Sequence, residues 1–131
     1  MEKLIVAFAT NDGEHFMSNH FGDADYYHIY EIDPTSAKFI KVIENTTEEE
    51  DEEIHADPKK AKGISELLKE ENVFVVGSKV FGPNIKRIKK KFVCLLLKEK
   101  SINDAIKKVS ENHDMIISEW NKGEDRNFLN L

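Results

Sequence analysis

Several features that stabilise or localise proteins are scarce in this chain of 131 residues. Its single cysteine, Cys94, excludes an intramolecular disulfide and any zinc or iron–sulfur site built only from cysteines of one chain. Long apolar runs are also missing, since the one near the N-terminus covers only residues 4–9. That run is too short for a secretion signal or a membrane span. We therefore expect a reduced, cytoplasmic protein.

Basic residues are fewer than acidic residues. The chain has 19 Lys and Arg against 25 Asp and Glu, a net charge of −6, which argues against a general nucleic-acid-binding role. Charged residues make up 34% of the chain, and this Lys- and Glu-rich composition is typical of heat-adapted proteins. Residues 44–57 carry eight acids and no Lys or Arg, whereas residues 79–100 carry eight cations and one acid. Each segment is either solvated surface or, for the basic one, a surface that contacts an anion or a partner.

The hydrophobic pattern predicts an α/β protein. The continuous apolar run at residues 4–9 indicates a strand buried on both faces, in the centre of a sheet. Turn residues at 33–36 join two further strands in a hairpin. Helices are expected where Asp57 precedes Pro58, near Pro83, and after the N-cap Ser101. In order, the predicted elements are strands 4–9, 26–32 and 38–44, helix 58–71, strand 73–76, a helix from 83, strand 92–97 and a helix from 101 with a break near 112.

This order, β-β-β-α-β-α-β-α, predicts one α/β domain over residues 1–121 with a mixed sheet and helices on its faces. Strand 4–9 should be central and strand 38–44 should lie at an edge. We expect residues 122–131 to form a flexible tail, although Phe128 and Leu129 are apolar enough to dock. Cys94, inside an apolar strand, should belong to the core.

The loop after the first strand is the first candidate site. It leaves the carboxyl end of a central strand, where open α/β sheets collect ligands, and twelve residues separate Thr10 from Asp23. It contains two histidines, of which His20 is either a metal ligand or a hydrogen-bond partner of a loop carbonyl. Asp12 and Glu14 are possible paired carboxylates for metal-assisted hydrolysis, but exposed acids are common in loops.

Two further segments are weaker candidates. His55 precedes the helix at Pro58, where backbone N–H groups favour anions. It would be a stronger candidate ligand if it lay near His20. The strand–loop–helix passage from Gly77 and Ser78 to Gly82 and Asn84 either binds an anion through its backbone or needs glycine for a tight turn. It is not a Walker A loop, because Gly82 is followed by Pro-Asn and not by Lys-Ser/Thr.

One motif resembles a known family. Residues 18–29, Ser-Asn-His-Phe-Gly-Asp-Ala-Asp-Tyr-Tyr-His-Ile, with the later Val75-Val76-Gly77 and Gly82-Pro83-Asn84, resemble the dinitrogenase iron–molybdenum cofactor biosynthesis family. Its NifX-like carriers and the C-terminal module of NifB-like proteins are similar over residues 3–110. The resemblance implies a ribonuclease H-like motif with a mixed five-stranded sheet.

The resemblance also implies a function. Such proteins are carriers and not enzymes: they hold an iron–sulfur or iron–molybdenum cofactor precursor transiently and exchange it with a donating or accepting protein. His20 and His55 would be the metal ligands. The cofactor-binding residues implied for this chain are His20, Phe21, Gly22, His55, Gly77, Ser78, Gly82 and Asn84.

Two other functions are considered. One is a ligand-free adaptor or regulatory module that docks a partner through its charged segments. The other, a ribonuclease H-like metal-dependent nuclease, follows from fold analogy alone. It would need acids on the central strand for a two-metal site, and residues 4–9 contain none.

Overall fold

A computed structural model describes residues 3–45 and 58–131, with the side chains of all these residues except 58–62 and 84. His55 and most of the acidic segment 44–57 lie outside the described residues. The strands are β1 (Leu4–Thr10), β2 (Tyr26–Ile32), β3 (Ala37–Glu44), β4 (Val75–Ser78), β5 (Val93–Leu96) and β6 (Leu129–Asn130). The helices are α1 (Pro58–Glu70), α2 (Ile85–Ile88), α3 (Ile102–Glu111) and α4 (His113–Trp120), with short 3-10 turns at Phe21–Asp23, Gly82–Asn84 and Gly123–Asp125.

The strands form one mixed sheet in the order β3-β2-β1-β4-β5-β6. β1 pairs antiparallel with β2 and parallel with β4, so it lies inside the sheet, and β3 lies at an edge. Both predictions for these strands are confirmed. The break between α3 and α4 at Asn112 and the Ser101 cap, whose Oγ accepts from Asp104 N at 3.2 Å, are confirmed as well.

Burial on both faces of β1 explains its unbroken apolar sequence. Leu4, Val6 and Phe8 pack in a core with α3 and α4, and Ala7 and Ala9 pack in a second core with α1 and α2. All five side chains are fully buried. The sheet is therefore the middle of three layers, as expected for a strand without polar alternation. None of the described helices is both long and apolar enough to cross a bilayer.

The C-terminal residues differ from the predicted flexible tail. Leu129 and Asn130 pair parallel with Leu95 and Leu96, so the described sheet has six strands and not the five that the resemblance implies. A two-residue strand leaves no periodic pattern in the sequence. Phe128 stays 41% exposed, so of the two residues that the sequence offered for docking only Leu129 joins the sheet.

Arg126 fastens this segment to the rest of the structure. It is 5% exposed, and its guanidinium donates to the carbonyls of Lys89, Lys90 and Trp120 at 3.1, 2.6 and 2.9 Å. It also stacks over the Trp120 ring, 4.5 Å from the ring centroid. The carbonyls of Lys89 and Lys90 belong to the turn between α2 and β5. Arg126 thus supplies hydrogen-bond donors to the turn that follows α2.

The predicted burial of Cys94 is confirmed, since its side chain is fully buried in the core on the α1 side. Burial raises the pKa of the Cys94 thiol to about 12, against a small opposing effect of the Arg126 and Lys89 charges.

We therefore expect a thiol reagent to modify native Cys94 at least about 100-fold more slowly than the denatured chain near neutral pH, because only the thiolate reacts. Spectrophotometric titration of the thiol with and without denaturant measures both rates. Equal rates would contradict the burial.

Candidate functional site

The candidate site lies at the carboxyl ends of the two central parallel strands, β1 and β4. Because these strands are parallel, the loop after β1, residues 11–25, meets the loop after β4, residues 79–84. β2 runs antiparallel to β1, so the first loop re-enters the sheet at the same end, where β2 begins. The position agrees with the one expected from the sequence.

His20 stands at the entrance of a short turn in this loop. Its backbone is extended (φ −65°, ψ 153°), its carbonyl accepts from Asp23 N at 2.9 Å, and the 3-10 turn Phe21–Asp23 follows. The His20 side chain is half-buried. The turn therefore fixes the backbone on the carboxyl side of the imidazole.

Phe21 anchors the turn in the core. Its side chain is 1% exposed, and its ring stacks on Phe81 at 5.2 Å between centroids and lies tilted against Tyr27 at 5.1 Å. The backbone N–H of Phe21 donates to Val80 O at 2.8 Å, and its carbonyl accepts from the Tyr27 hydroxyl at 2.7 Å. Burial, helped by the charge of Asp23, raises the pKa of Tyr27, so this hydroxyl keeps its proton. These contacts join the two loops.

His20 and Gly82, which the sequence offers as separate candidates, lie in contact. A Cβ placed on Gly82 would be 2.5 Å from His20 Nδ1 and 2.7 Å from its Cγ. Gly82 also has a φ of +74°, a conformation that residues with a side chain rarely adopt. The imidazole therefore packs against bare backbone of the second loop, and glycine is required there for two reasons.

Asn45, at the end of β3, also supports the loop. Its Nδ2 donates to the carbonyls of Gly22 and Ala24 at 3.1 and 2.8 Å, while Gly22 has open space around its Cα. Sequence reasoning missed Asn45, because a polar residue after a strand has no distinguishing spacing. Its amide holds the turn that follows His20.

The other residues predicted for the site do not contact His20 in the same way as Gly82: Gly77 is closely packed in the core, and Ser78 is buried. A Cβ on Gly77 would meet Leu97 Cδ1 at 2.8 Å and Phe8 Cδ1 at 3.0 Å, which supports the tight-packing interpretation of this glycine. Ser78 is fully buried, and its hydroxyl donates to Val80 O at 3.0 Å. Asn84 closes the turn Gly82–Asn84. The proximity of His55 to His20 stays a prediction, because His55 lies outside the described residues.

Within residues 3–45 and 58–131 no three His, Cys, Asp or Glu side chains come together as a metal-binding group. The site thus presents the His20 imidazole, held against Gly82 by the anchored turn.

This fold and site define a small α/β protein with two joined loops and the His20 imidazole at the carboxyl ends of the central strands of a mixed sheet. The sequence profile described as dinitrogenase iron-molybdenum cofactor matches residues 2–112, and the chain belongs to this family. The family resemblance noted in the sequence is thereby confirmed. No curated protein sequence matches the chain.

Solved structures show the same similarity. The crystal structure of a protein assigned as a dinitrogenase from Methanocaldococcus jannaschii has a TM-score of 0.60 and 26% identity, over 86% of this chain and 92% of that one. The NMR structure of the same assigned protein, under the organism name Methanococcus jannaschii, has a TM-score of 0.57 and 25% identity with equal coverage. The mixed α/β architecture is shared with these structures, whereas the ribonuclease H-like motif stays a prediction.

The contact between His20 and Gly82 can be tested with two glycine variants. Gly82→Ala and Gly123→Ala both place a side chain at positive φ, +74° and +65°, but only the first meets another residue. We expect Gly82→Ala to lower the free energy of unfolding by roughly 1–3 kcal/mol more than the control and to shift the His20 ring resonances in NMR spectra. Equal losses of stability with unmoved His20 resonances would contradict the contact.

Proposed function

We propose that this protein is a cytoplasmic carrier that holds an iron–sulfur or iron–molybdenum cofactor precursor transiently and exchanges it with a partner protein. The half-buried imidazole of His20, packed against Gly82 and anchored through Phe21, is the observation that carries this proposal. Membership of the dinitrogenase iron-molybdenum cofactor family supports the choice of cargo.

One or two imidazole ligands suit a cluster that has to be bound reversibly. Imidazole nitrogen is a good ligand for iron, and a cluster that brings its own sulfides needs few protein ligands. Binding through one or two imidazoles is reversible, because each bond can be replaced by a ligand from the accepting protein. His20 would supply the imidazole, and the absence of a side chain on Gly82 leaves the second loop's backbone beside it. This role involves no bond-making in the cargo, so we propose a carrier and not an enzyme.

Anaerobic reconstitution with ferrous iron and sulfide tests the role of His20. We expect His20→Ala to weaken loading about 10- to 100-fold, the loss typical when support of a bound metal is removed, and to change the free energy of unfolding by no more than roughly 1 kcal/mol. Metal analysis and absorption spectra measure the loading. Loading should also fall at acidic pH, because a protonated imidazole cannot coordinate.

The controls use other histidines of the chain. His28→Gln removes an imidazole from β2, on the face that Phe8 shares, and should leave loading unchanged. His55→Ala should give a smaller loss than His20→Ala. Equal loading of wild type and His20→Ala would discard the site. No loading of either would favour the adaptor, which would dock a partner through the exposed cations of the basic segment, such as Lys86 and Arg87.

The charge of the cargo can be tested at Asp23. This residue lies two positions after Phe21, whose backbone N–H bonds the turn to Val80 O. Its carboxylate repels an anionic cluster but attracts bare Fe²⁺. Asp23→Asn should therefore raise loading when sulfide is present and lower it with Fe²⁺ alone. A fall in loading under both conditions would instead identify free Fe²⁺ as the cargo.

A further inference from the structure

The hairpin of β2 and β3 has one face that no described helix covers. α3 and α4 pack on this side of the sheet over β1, β4 and β5. Seven of the eight side chains of β3 are exposed, so this cover stops before the sheet edge. Paired residues of antiparallel strands lie on the same face. The register therefore places six side chains on what we call the open face: Tyr26, His28, Tyr30, Phe39, Val42 and Glu44.

The open face is apolar and almost uncharged. Phe39, Val42 and Tyr26 are 48%, 42% and 38% exposed. Glu44 is the one acid on this face, although 34% of the chain is charged. Burial lowers the pKa of His28, so its ring is neutral at neutral pH. A sheet face that meets only water is usually polar, whereas aromatic residues without charges are typical of the centre of a protein interface.

Ring contacts hold the open face in place. Phe8 in the core lies against Tyr30 at 5.8 Å between ring centroids, and Tyr30 lies against Phe39 at 5.4 Å. The His28 ring contacts Phe39 from the other side at 5.7 Å. Phe39 is therefore exposed but already ordered, so it loses little side-chain freedom when a partner covers it.

The shape of the open face limits what can cover it. α3 stands beside it, since Ser110 Oγ donates to Asp33 O, in the turn between β2 and β3, at 3.1 Å. A helix has a diameter of about 10–12 Å, and stacked sheets lie about 10 Å apart. A second sheet placed on the open face would therefore lie level with α3. Because β3 is the edge strand, such a sheet can extend past it without a clash.

We propose that the open face packs against the open face of a second copy of this chain, which forms a symmetric dimer. A twofold axis parallel to the strands places β3 of each copy over β2 of the other. Phe39 of one copy then faces Tyr30 of the other, and Val42 faces His28. On the far side of β1, α3 of each copy comes to lie beside the β3 edge of its partner. The dimer thus covers an unpaired strand edge as well as an apolar face.

The area of the contact predicts a weak dimer. Aromatic side chains bury about 150–250 Å² each, so the exposed parts of Phe39, Val42 and Tyr26 amount to roughly 200–300 Å² per copy. With the strand edge and α3 added, the two copies together bury roughly 1,000 Å², at the lower end for specific interfaces. We therefore expect a dissociation constant between about 1 μM and 1 mM.

Sedimentation equilibrium of the intact chain, at concentrations up to about 1 mM, measures the association. Phe39→Lys and Val42→Lys should each weaken the dimer at least about 10-fold, because the contact would bury an unpaired ammonium group. Met115→Lys is the matched control: Met115 is also 48% exposed, but it lies on α4, which packs over β5. It should leave the dissociation constant unchanged, and circular dichroism checks that all three variants fold.

A chain that stays monomeric at 1 mM would overturn the proposal and would leave a different protein as the occupant of the open face. Equal weakening by Met115→Lys and Phe39→Lys would overturn it as well. Isotope-filtered NMR on mixed labelled and unlabelled copies tests the arrangement. Contacts between Phe39 of one copy and Tyr30 of the other would support it, whereas contacts between the backbones of two β3 strands would show edge pairing and refute it.

The proposal is independent of the carrier role of His20. Phe21, which anchors the His20 turn, packs in the core on the opposite face of the sheet. Phe39→Lys should therefore load iron and sulfide as the wild type does, so the two proposals can fail separately.

Discussion

The burial of Phe21 between Phe81 and Tyr27 is the interaction on which the site depends. Burying one phenylalanine stabilises a structure by roughly 1.5–3 kcal/mol, and each aromatic pair adds roughly 0.5–1.5 kcal/mol. Because His20 precedes Phe21 directly, the same contacts fix where the imidazole lies. The loop is long, yet His20, the residue proposed to bind the cargo, lies next to Phe21, which attaches the loop to the core.

The sequence predicts those parts of the fold that depend on local physics. A strand buried on both faces has to be apolar throughout, which identified β1 and its interior position. The Asp33 turn and the Ser101 cap use side chains that bond backbone within three residues, so their effects are visible in short segments. Cys94 was assigned to the core for the same reason, from its apolar neighbours.

Contacts between segments that are distant in the sequence could not be predicted from local sequence patterns. The packing of His20 on Gly82 requires β1 and β4 to be adjacent and parallel, and no spacing in the sequence states that. The sequence offered Asp12 only as a paired carboxylate with Glu14, whereas in the structure its Oδ2 lies 2.9 Å from His15 Nδ1. β6 has two residues, and Arg126, one of only two arginines, has partners in two other segments. The family motif lies in the two loops that pack together, but it does not give the contact that joins them.

The attachment of α2 through Arg126 has a consequence for the order in which the protein matures. Arg126 is synthesised 36 residues after Lys90, whose carbonyl it satisfies. At roughly 5–20 residues per second, that interval lasts about 2–7 s. During it the carbonyls of Lys89 and Lys90 lack this partner, although the residues of both candidate-site loops have already been synthesised. The turn after α2 thus receives its guanidinium late, from a residue made after every residue of those loops.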